Sequence, residues 1–308
     1  MKIAIQVTSL GQRCGIATYA ERLNYYINKA GIESKQFVER IRNNPDLISL
    51  QYEPGLMQPQ VLQMFVNRYP QPIVVTAHHI GHIPQFYPLL DGIILHSKSQ
   101  IPLNRDKTLN EPWSYKIIPH PALVYPEKGK DEMKKKYGLP LDKTIIGTAG
   151  FIAGTGKELP GLVDHLLKNL KKDEFVFLTT SFWKGGDFGF ESQINQVVKS
   201  LGKEDQFRID SDFVSEETLN EKLQACDLLF AWNIFNGPGS TSGIAMDMLG
   251  SRRKLIVKDS PHYSFASSIK GVEKGSIKQE DFAKDVLKLA RKGNLDKNIP
   301  DPTPYSWE

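Results

Sequence analysis

Short apolar runs alternate with amphipathic stretches along most of the chain, and few architectures accept that rhythm. In the first half KIAIQV (2–7), LISLQY (47–52), PIVVTA (72–77), GIILHS (92–97) and YKIIPH (115–120) read as strands. GIATYAERLNYYINKAG (15–31) and QPQVLQMFVNRYP (58–70) read as helices, the first closed by Gly31. Such alternation is the signature of an α/β fold, a parallel sheet with helices on both faces.

At residues 119–130 the rhythm breaks. PHPALVYPEKGK carries three prolines and a glycine, and such a segment neither continues a helix nor pairs centrally in a sheet. A chain of 308 residues is long for one core, so two domains are expected, 1–122 and 123–308. Past the break the alternation restarts. DEMKKKYG (131–138), ELPGLVDHLLKNL (158–170), FESQINQVVKSLG (190–202), SEETLNEKLQACD (215–227) and TSGIAMDMLGS (241–251) read as helices, with Ser215 as an N-cap. KTIIGTAG (143–150), EFVFLTT (174–180), QFRID (206–210), LLFAWN (228–233) and KLIVKD (254–259) read as strands between them. Two doubly wound domains follow, with ligands at the carboxyl ends of strands and the largest crevice expected between the domains.

Composition narrows the function classes. With 40% hydrophobic and 24% charged residues the chain has the make-up of a soluble globular protein. No apolar run approaches the roughly 18 residues of a membrane span, and the start, MKIAIQVTSLG, turns polar too soon for a signal peptide, so a cytoplasmic protein is expected. Cys14 and Cys226 lack metal-ligand spacing and are expected as reduced thiols. The net charge of +4 lies wholly in the first 125 residues. That excess suits an acidic or membrane-surface partner, and equally an ordinary solvated face.

Four stretches put small or polar residues at the expected strand ends. GTAGFIAGTGKELPG (147–161) nearly spells the phosphate loop of nucleotide triphosphatases, which needs Gly, four residues, Gly-Lys and then Ser or Thr. Here Glu158 follows Lys157 and Phe151 stands six before it, so ATP hydrolysis is not implied. What remains is a Gly-rich turn with Lys157 at the start of a helix, a setting for a phosphate. In TSLGQRCGIATYAERL (8–23), Gly11 and Gly15 let backbone approach a ligand ahead of a helix N-terminus. FNGPGSTSGIAMD (235–247) offers amides and hydroxyls of Thr241, Ser242 and Gly243 to an anion, with a helix dipole worth roughly 0.3–1 kcal/mol. About one turn into that helix, Asp247 is placed to accept hydrogen bonds from vicinal hydroxyls of a ribose or sugar. VVTAHHIGHIPQ (74–85) carries His78, His79 and His82 after a strand rather than on a helix, with no Cys or acidic partner at ligand spacing, so no metal site is assigned. His78 is read instead as a hydrogen-bond donor to a ligand, and His96 and His120 as structural residues. There is no nucleophile elbow and no acidic pair at fixed spacing.

Taken in order, CGIATYAERL (14–23), QYEPGL (51–56), VVTAHH (74–79), IIPHP (117–121), KKKYGL (134–139), GTAGFIAGTGKELPGLVDHL (147–166), DFVSEETLNEKLQACDLL (212–229) and SGIAMDMLGSRRKLIVKD (242–259) resemble the glycosyltransferase family 4 group of nucleotide-sugar-dependent enzymes. The resemblance runs nearly end to end. It implies a GT-B fold, two Rossmann-like doubly wound parallel-sheet domains facing a central cleft, the first for acceptor and the second for donor. By the same resemblance Lys157 neutralises the donor diphosphate, assisted by amides near Gly15 and by Ser242 and Gly243. The backbone at Val214 would recognise the nucleobase, Asp247 would hold the ribose hydroxyls, and His78 would lie near the transferred sugar.

The chain departs from the family pattern at three places. Phe151 stands where members commonly carry an arginine, with Arg13 and Lys184 as candidate replacements. Gly239 replaces a glutamate, with Asn236 as its substitute if GPGSTS is an insertion. The sequence stops at PYSWE, where relatives typically start a last helix. The implied reaction is retaining transfer of a hexosyl or pentosyl group from a UDP- or GDP-sugar to an acceptor hydroxyl, with no metal and no cofactor beyond that cosubstrate. The acceptor stays open among a glycan, a lipid-linked sugar and DNA. Two alternatives stand beside this: glycosylation of hydroxymethylated DNA bases, and a non-catalytic sugar-nucleotide-binding module.

Overall fold

The computed structural model describes the chain except residues 12–13, 39, 42–43, 82–88, 102–113, 153–157, 183–188, 235–236 and 308. It forms two compact units, residues 1–120 with 237–241, and residues 121–236 with 242–307.

The first unit runs β1 (Lys2–Gln6), α1 (Gly15–Lys29), β2 (Glu33–Phe37), β3 (Leu47–Tyr52), α2 (Pro59–Arg68), β4 (Ile73–Ala77), β5 (Gly92–Leu95) and β6 (Tyr115–Ile117). Its strands form one parallel sheet in the order β2-β1-β3-β4-β5-β6. The chain winds from β1 outward to β2 and then reverses to β3, so the topological switch point lies between β1 and β3. Ile48, Leu50 and Tyr52 of β3, Ile73 and Val75 of β4 and Leu62 and Phe65 of α2 bury one cluster, and Ile3, Ile5, Val7 and Ala20 another. Each large side chain buried this way contributes about 1.5–3 kcal/mol. Helix α1 ends as its sequence requires: Gly31 takes φ +80°, and the Ile32 amide donates back to the Ile27 carbonyl at 3.1 Å.

The second unit runs α3 (Lys130–Lys136), β7 (Thr144–Ile152), α4 (Leu159–Lys168), β8 (Glu174–Phe182), α5 (Phe190–Ser200), β9 (Phe207–Asp210), α6 (Glu216–Gln224), β10 (Leu228–Ala231), α7 (Gly243–Gly250), β11 (Lys254–Lys258), β12 (Val272–Gly275) and α8 (Gln279–Ala290). The parallel order is β12-β11-β10-β7-β8-β9, so this switch point lies between β7 and β10. Both sheet faces are covered. Leu228, Phe230 and Trp232 pack on one side with α4, α5 and α8, while Leu229 and Ala231 pack on the other with α7. A strand buried on both faces reads as a continuous apolar run, which is why β10 stood out in the sequence.

Among the described strands and α-helices, three escaped the sequence reading. β2 (ESKQF) and β12 (VEKG) are edge strands, paired on one side and partly exposed, so they carry charged residues in place of an apolar run. Helix α8 follows β12 and buries Phe282, Ala283, Val286 and Leu287, a helical spacing present in the sequence beyond the last strand assigned there.

Candidate functional site

In the first unit the expected residues gather at the carboxyl end of the sheet. Gly15 opens α1, whose N-cap, Cys14, makes no side-chain cap and whose first turn holds no acidic residue. A Cβ built on Gly11 or Gly15 meets nothing within 4 Å, so backbone there is approachable. Tyr19, one turn on, packs edge-on against the His78 ring at 4.8 Å and against His96 at 5.3 Å, while His120 lies 5.1 Å from the same ring. Helix α1 and the end of β4 are thereby locked together around three imidazoles.

Hydrogen bonding fixes the state of these rings. Nε2 of His78 lies 3.1 Å from Oε1 of Gln51, and Gln51 turns its amide nitrogen to Ser49 at 3.1 Å and Thr76 at 3.5 Å. With the Gln51 oxygen as its partner, His78 donates from Nε2 and presents Nδ1 as an acceptor. His96 donates from Nδ1 to the Ile118 carbonyl at 2.9 Å. Burial, aided by His96 and His120, holds the His78 pKa well below the usual imidazole range. Burial and His120 bring His96 down to about 3 against the support of the Ile118 carbonyl. Both rings are neutral near neutral pH.

Sequence reasoning gave no role to Glu53. It follows β3 directly, beside the switch point, and the register Tyr52↔Ala77 brings Glu53 and His78 out of neighbouring strand ends. Burial pushes its carboxyl up to about 6, against a hydrogen bond from Gly55. The signal was present in QYEPGL, a carboxylate closing an otherwise buried strand. Thr241 also belongs to this unit, with its hydroxyl 3.2 Å from that of Ser97. The neighbouring Ser240 bridges His79, and the Gly239 carbonyl accepts from the Ile80 amide at 2.7 Å.

In the second unit Ser242 and Gly243 head α7. The Ser242 hydroxyl accepts from the Ala245 amide at 3.3 Å, and its own amide donates to the His262 carbonyl at 3.2 Å. Its polar groups thus build the helix start, and the first-turn amides not engaged in the cap remain for an anion. Asp247 lies one turn into α7 and is half-buried. Val214 is half-buried between β9 and α6, where Ser215 caps α6 by accepting from the Thr218 amide at 3.2 Å. Next to it the Phe213 ring, 44% exposed, stacks on Phe151 at 6.0 Å with an interplanar angle of 19°. Phe151 is therefore half of an aromatic pair beside Val214.

Lys157 and Asn236 lie outside the described residues, as do His82, Arg13 and Lys184. Among the described residues no group of three His, Cys, Asp or Glu side chains is placed to hold a metal ion. No described helix is long and apolar enough to cross a membrane, and Cys14 and Cys226 are buried free thiols.

No protein-family model and no curated protein sequence matches the chain. Solved structures do. Sucrose-phosphate synthase from Thermosynechococcus elongatus is similar over 100% of this chain and 95% of its own, with a TM-score of 0.77 at 12% identity. HepE from Anabaena, in complex with UDP and glucose, is similar over 97% of this chain and 92% of its own, with a TM-score of 0.72 at 13% identity. Trehalose-6-phosphate synthase from E. coli, bound with UDP-2-fluoro glucose, is similar over 97% and 93%, with a TM-score of 0.63 at 9% identity. With its two six-stranded parallel sheets, each wound with helices on both faces, the chain has the GT-B fold.

Proposed function

We propose that the protein is a retaining, metal-independent glycosyltransferase that moves a sugar from a nucleoside-diphosphate donor to an acceptor hydroxyl. The observation that carries this reading is the match over nearly the full length of both chains to proteins bound with UDP and with UDP-2-fluoro glucose. Those ligands favour UDP over GDP as the nucleotide. The second unit is assigned the donor and the first the acceptor.

In this reading the departing diphosphate is met by the Lys157 ammonium and by first-turn amides of α7 at Gly243, with Asn236, Thr241 and the α1 start at Gly15 lining the donor. Charge that develops on the leaving oxygen is stabilised by dipoles already in place, the largest lever for such a step. Asp247 accepts from the ribose hydroxyls, and the nucleobase lies at the Val214 backbone beside Phe213. His78, neutral and fixed on Gln51, accepts a hydrogen bond from a sugar hydroxyl through Nδ1. No side-chain nucleophile is assigned, and attack comes from the face the diphosphate leaves.

Release of UDP or GDP from a panel of sugar nucleotides tests the reading. Turnover with at least one donor is expected, reduced about a hundredfold or more by Lys157→Ala. No turnover with any donor, together with unchanged donor binding by Lys157→Ala, removes it. A non-catalytic binding module is the second reading, favoured by the aromatic pairing of Phe151 where an arginine is expected. Thermal stabilisation by a sugar nucleotide without turnover identifies that case.

A further inference from the structure

Among its described residues the second unit contains five basic side chains that are at least nine-tenths buried: Lys134, Lys222, Arg253, Lys254 and Lys258. Four have a carboxylate. Lys134 reaches Asp227 at 2.8 Å, Lys222 reaches Asp210 at 2.9 Å, Lys254 reaches Glu273 at 2.9 Å and Arg253 reaches Glu127 at 3.4 Å. Lys258, the most buried at 1% exposed, has no ion-pair partner among the described residues. Its Nζ donates to the Asn233 carbonyl at 2.7 Å and lies over the Trp232 ring, 4.5 Å from the centroid. One carbonyl and one ring face are little compensation for a buried cation. Burial depresses its pKa, and the negative charge opposing that is the more distant Glu158.

Among the described residues two nearby polar groups are likewise unpartnered. Trp232 Nε1 and Ser260 Oγ are buried with no hydrogen-bond partner, in residues 5% and 8% exposed. An ammonium and an indole N–H only donate, and a hydroxyl can donate too. These groups sit at one place in the fold. Lys258 ends β11, Ser260 follows it by two residues, and Trp232 directly follows β10, at the strand that borders the switch point. Glu158 is the N-cap of α4, a ten-residue helix with no side-chain cap and no acidic residue in its first turn. A buried cation, an unpaired indole donor and a helix start without a side-chain cap all suit the same thing, a negatively charged oxygen.

We propose that Lys258 and the Trp232 indole N–H form an oxyanion subsite for a phosphate group at the carboxyl ends of β10 and β11, supplying the charge that Phe151 does not. The proposal rests on the glycosyltransferase reading for the source of that phosphate, either the diphosphate of the donor or a phosphorylated acceptor. The competing role for Lys258 is a clamp that ties the strand after β10 to β11. The two differ in sign. A clamp stabilises the protein without ligand, whereas an uncompensated buried ammonium does not, and only an oxyanion subsite loses phosphate affinity when the charge is removed.

Titration calorimetry of the full chain with UDP, uridine, inorganic pyrophosphate and glucose 6-phosphate separates these outcomes. Lys258→Met is expected to weaken UDP and pyrophosphate about tenfold or more, leave uridine unchanged and not lower the melting temperature of the unliganded protein. Trp232→Phe removes the N–H together with the five-membered half of the indole while keeping an aromatic ring, and is expected to weaken UDP and pyrophosphate severalfold with uridine unchanged, which keeps the test decisive if Lys258→Met does not fold. If glucose 6-phosphate alone is weakened, the phosphate belongs to the acceptor. Wild-type affinities for every phosphate ligand in both variants, or no phosphate binding by the wild type, overturn the proposal. UDP binding and turnover that do not depend on Lys258 leave the glycosyltransferase reading standing without it. Lys258-dependent pyrophosphate binding with no sugar-nucleotide binding does the reverse.

Discussion

Oε1 of Gln51, in β3, and Nε2 of His78, which directly follows β4, lie 3.1 Å apart, and this contact orients the imidazole. Gln51 is itself 1% exposed and anchored to Ser49, so the acceptor it presents to His78 is held in place. Gln51→Leu removes that acceptor while preserving bulk. Turnover is expected to fall about tenfold, equivalent to about 1.4 kcal/mol, with UDP affinity unchanged. Parallel loss of UDP binding would show that Gln51 acts on the fold and not on His78.

Acid is expected to weaken the protein well above the carboxylate range. His78 and His96 are depressed in the folded state, His96 to about 3, so below the ordinary value of 6.5 the unfolded chain binds protons that the folded chain does not. Stability therefore falls as pH drops through 6.5 and keeps falling towards 3, by about 1.4 kcal/mol per pH unit for each such ring. Glu53 acts in the opposite direction. Its folded value of about 6 lies above its ordinary 4.5, so between those values it gains protons on folding and offsets one imidazole. Urea unfolding between about pH 7 and pH 5 measures the net slope, and His96→Phe is expected to flatten it. An unchanged slope in that variant would contradict the assignment.

Gly147 is required by close packing between β7 and the end of α6. A Cβ there would lie 2.3 Å from the Cys226 sulfur and 3.3 Å from a Leu229 methyl carbon. Gly147→Ala is expected to cost about 1–3 kcal/mol in urea unfolding, as overpacked cores do. Adding Cys226→Ala removes the sulfur and should recover much of the loss, a coupling that a double-mutant cycle reads directly. Additive losses would place the strain elsewhere.

Phe213 tests the nucleobase assignment. Being 44% exposed, it can be replaced by alanine with a stability change within about 0.5 kcal/mol. Stacking of a base on an aromatic ring is worth about 1–3 kcal/mol, so Phe213→Ala is expected to weaken UDP by about fivefold or more and to leave inorganic pyrophosphate unaffected. Equal effects on both ligands would move the base away from this ring.

Much of the fold could be read from the residue order, because strands buried on both faces must be apolar throughout and the helices that cover them must be amphipathic. β3, β4, β7, β8, β10 and β11 announced themselves in this way, and the caps Gly31 and Ser215 marked helix ends that the structure contains. The edge strands β2 (ESKQF) and β12 (VEKG) did not, since charged residues at their exposed positions break the apolar run that the other two edges, β6 and β9, still carry. Strand order was likewise decided in three dimensions: periodicity gives a strand its faces but not its neighbours, and the two switch points follow only from which strands pair. The site divides along the same line. Candidate residues were visible as small and polar groups after strands, whereas the tautomer of His78, the raised carboxyl of Glu53 and the missing carboxylate at Lys258 depend on partners far away in the chain. Burial and hydrogen bonding set proton affinity and charge balance, and both are properties of the packed structure that no local stretch of sequence encodes.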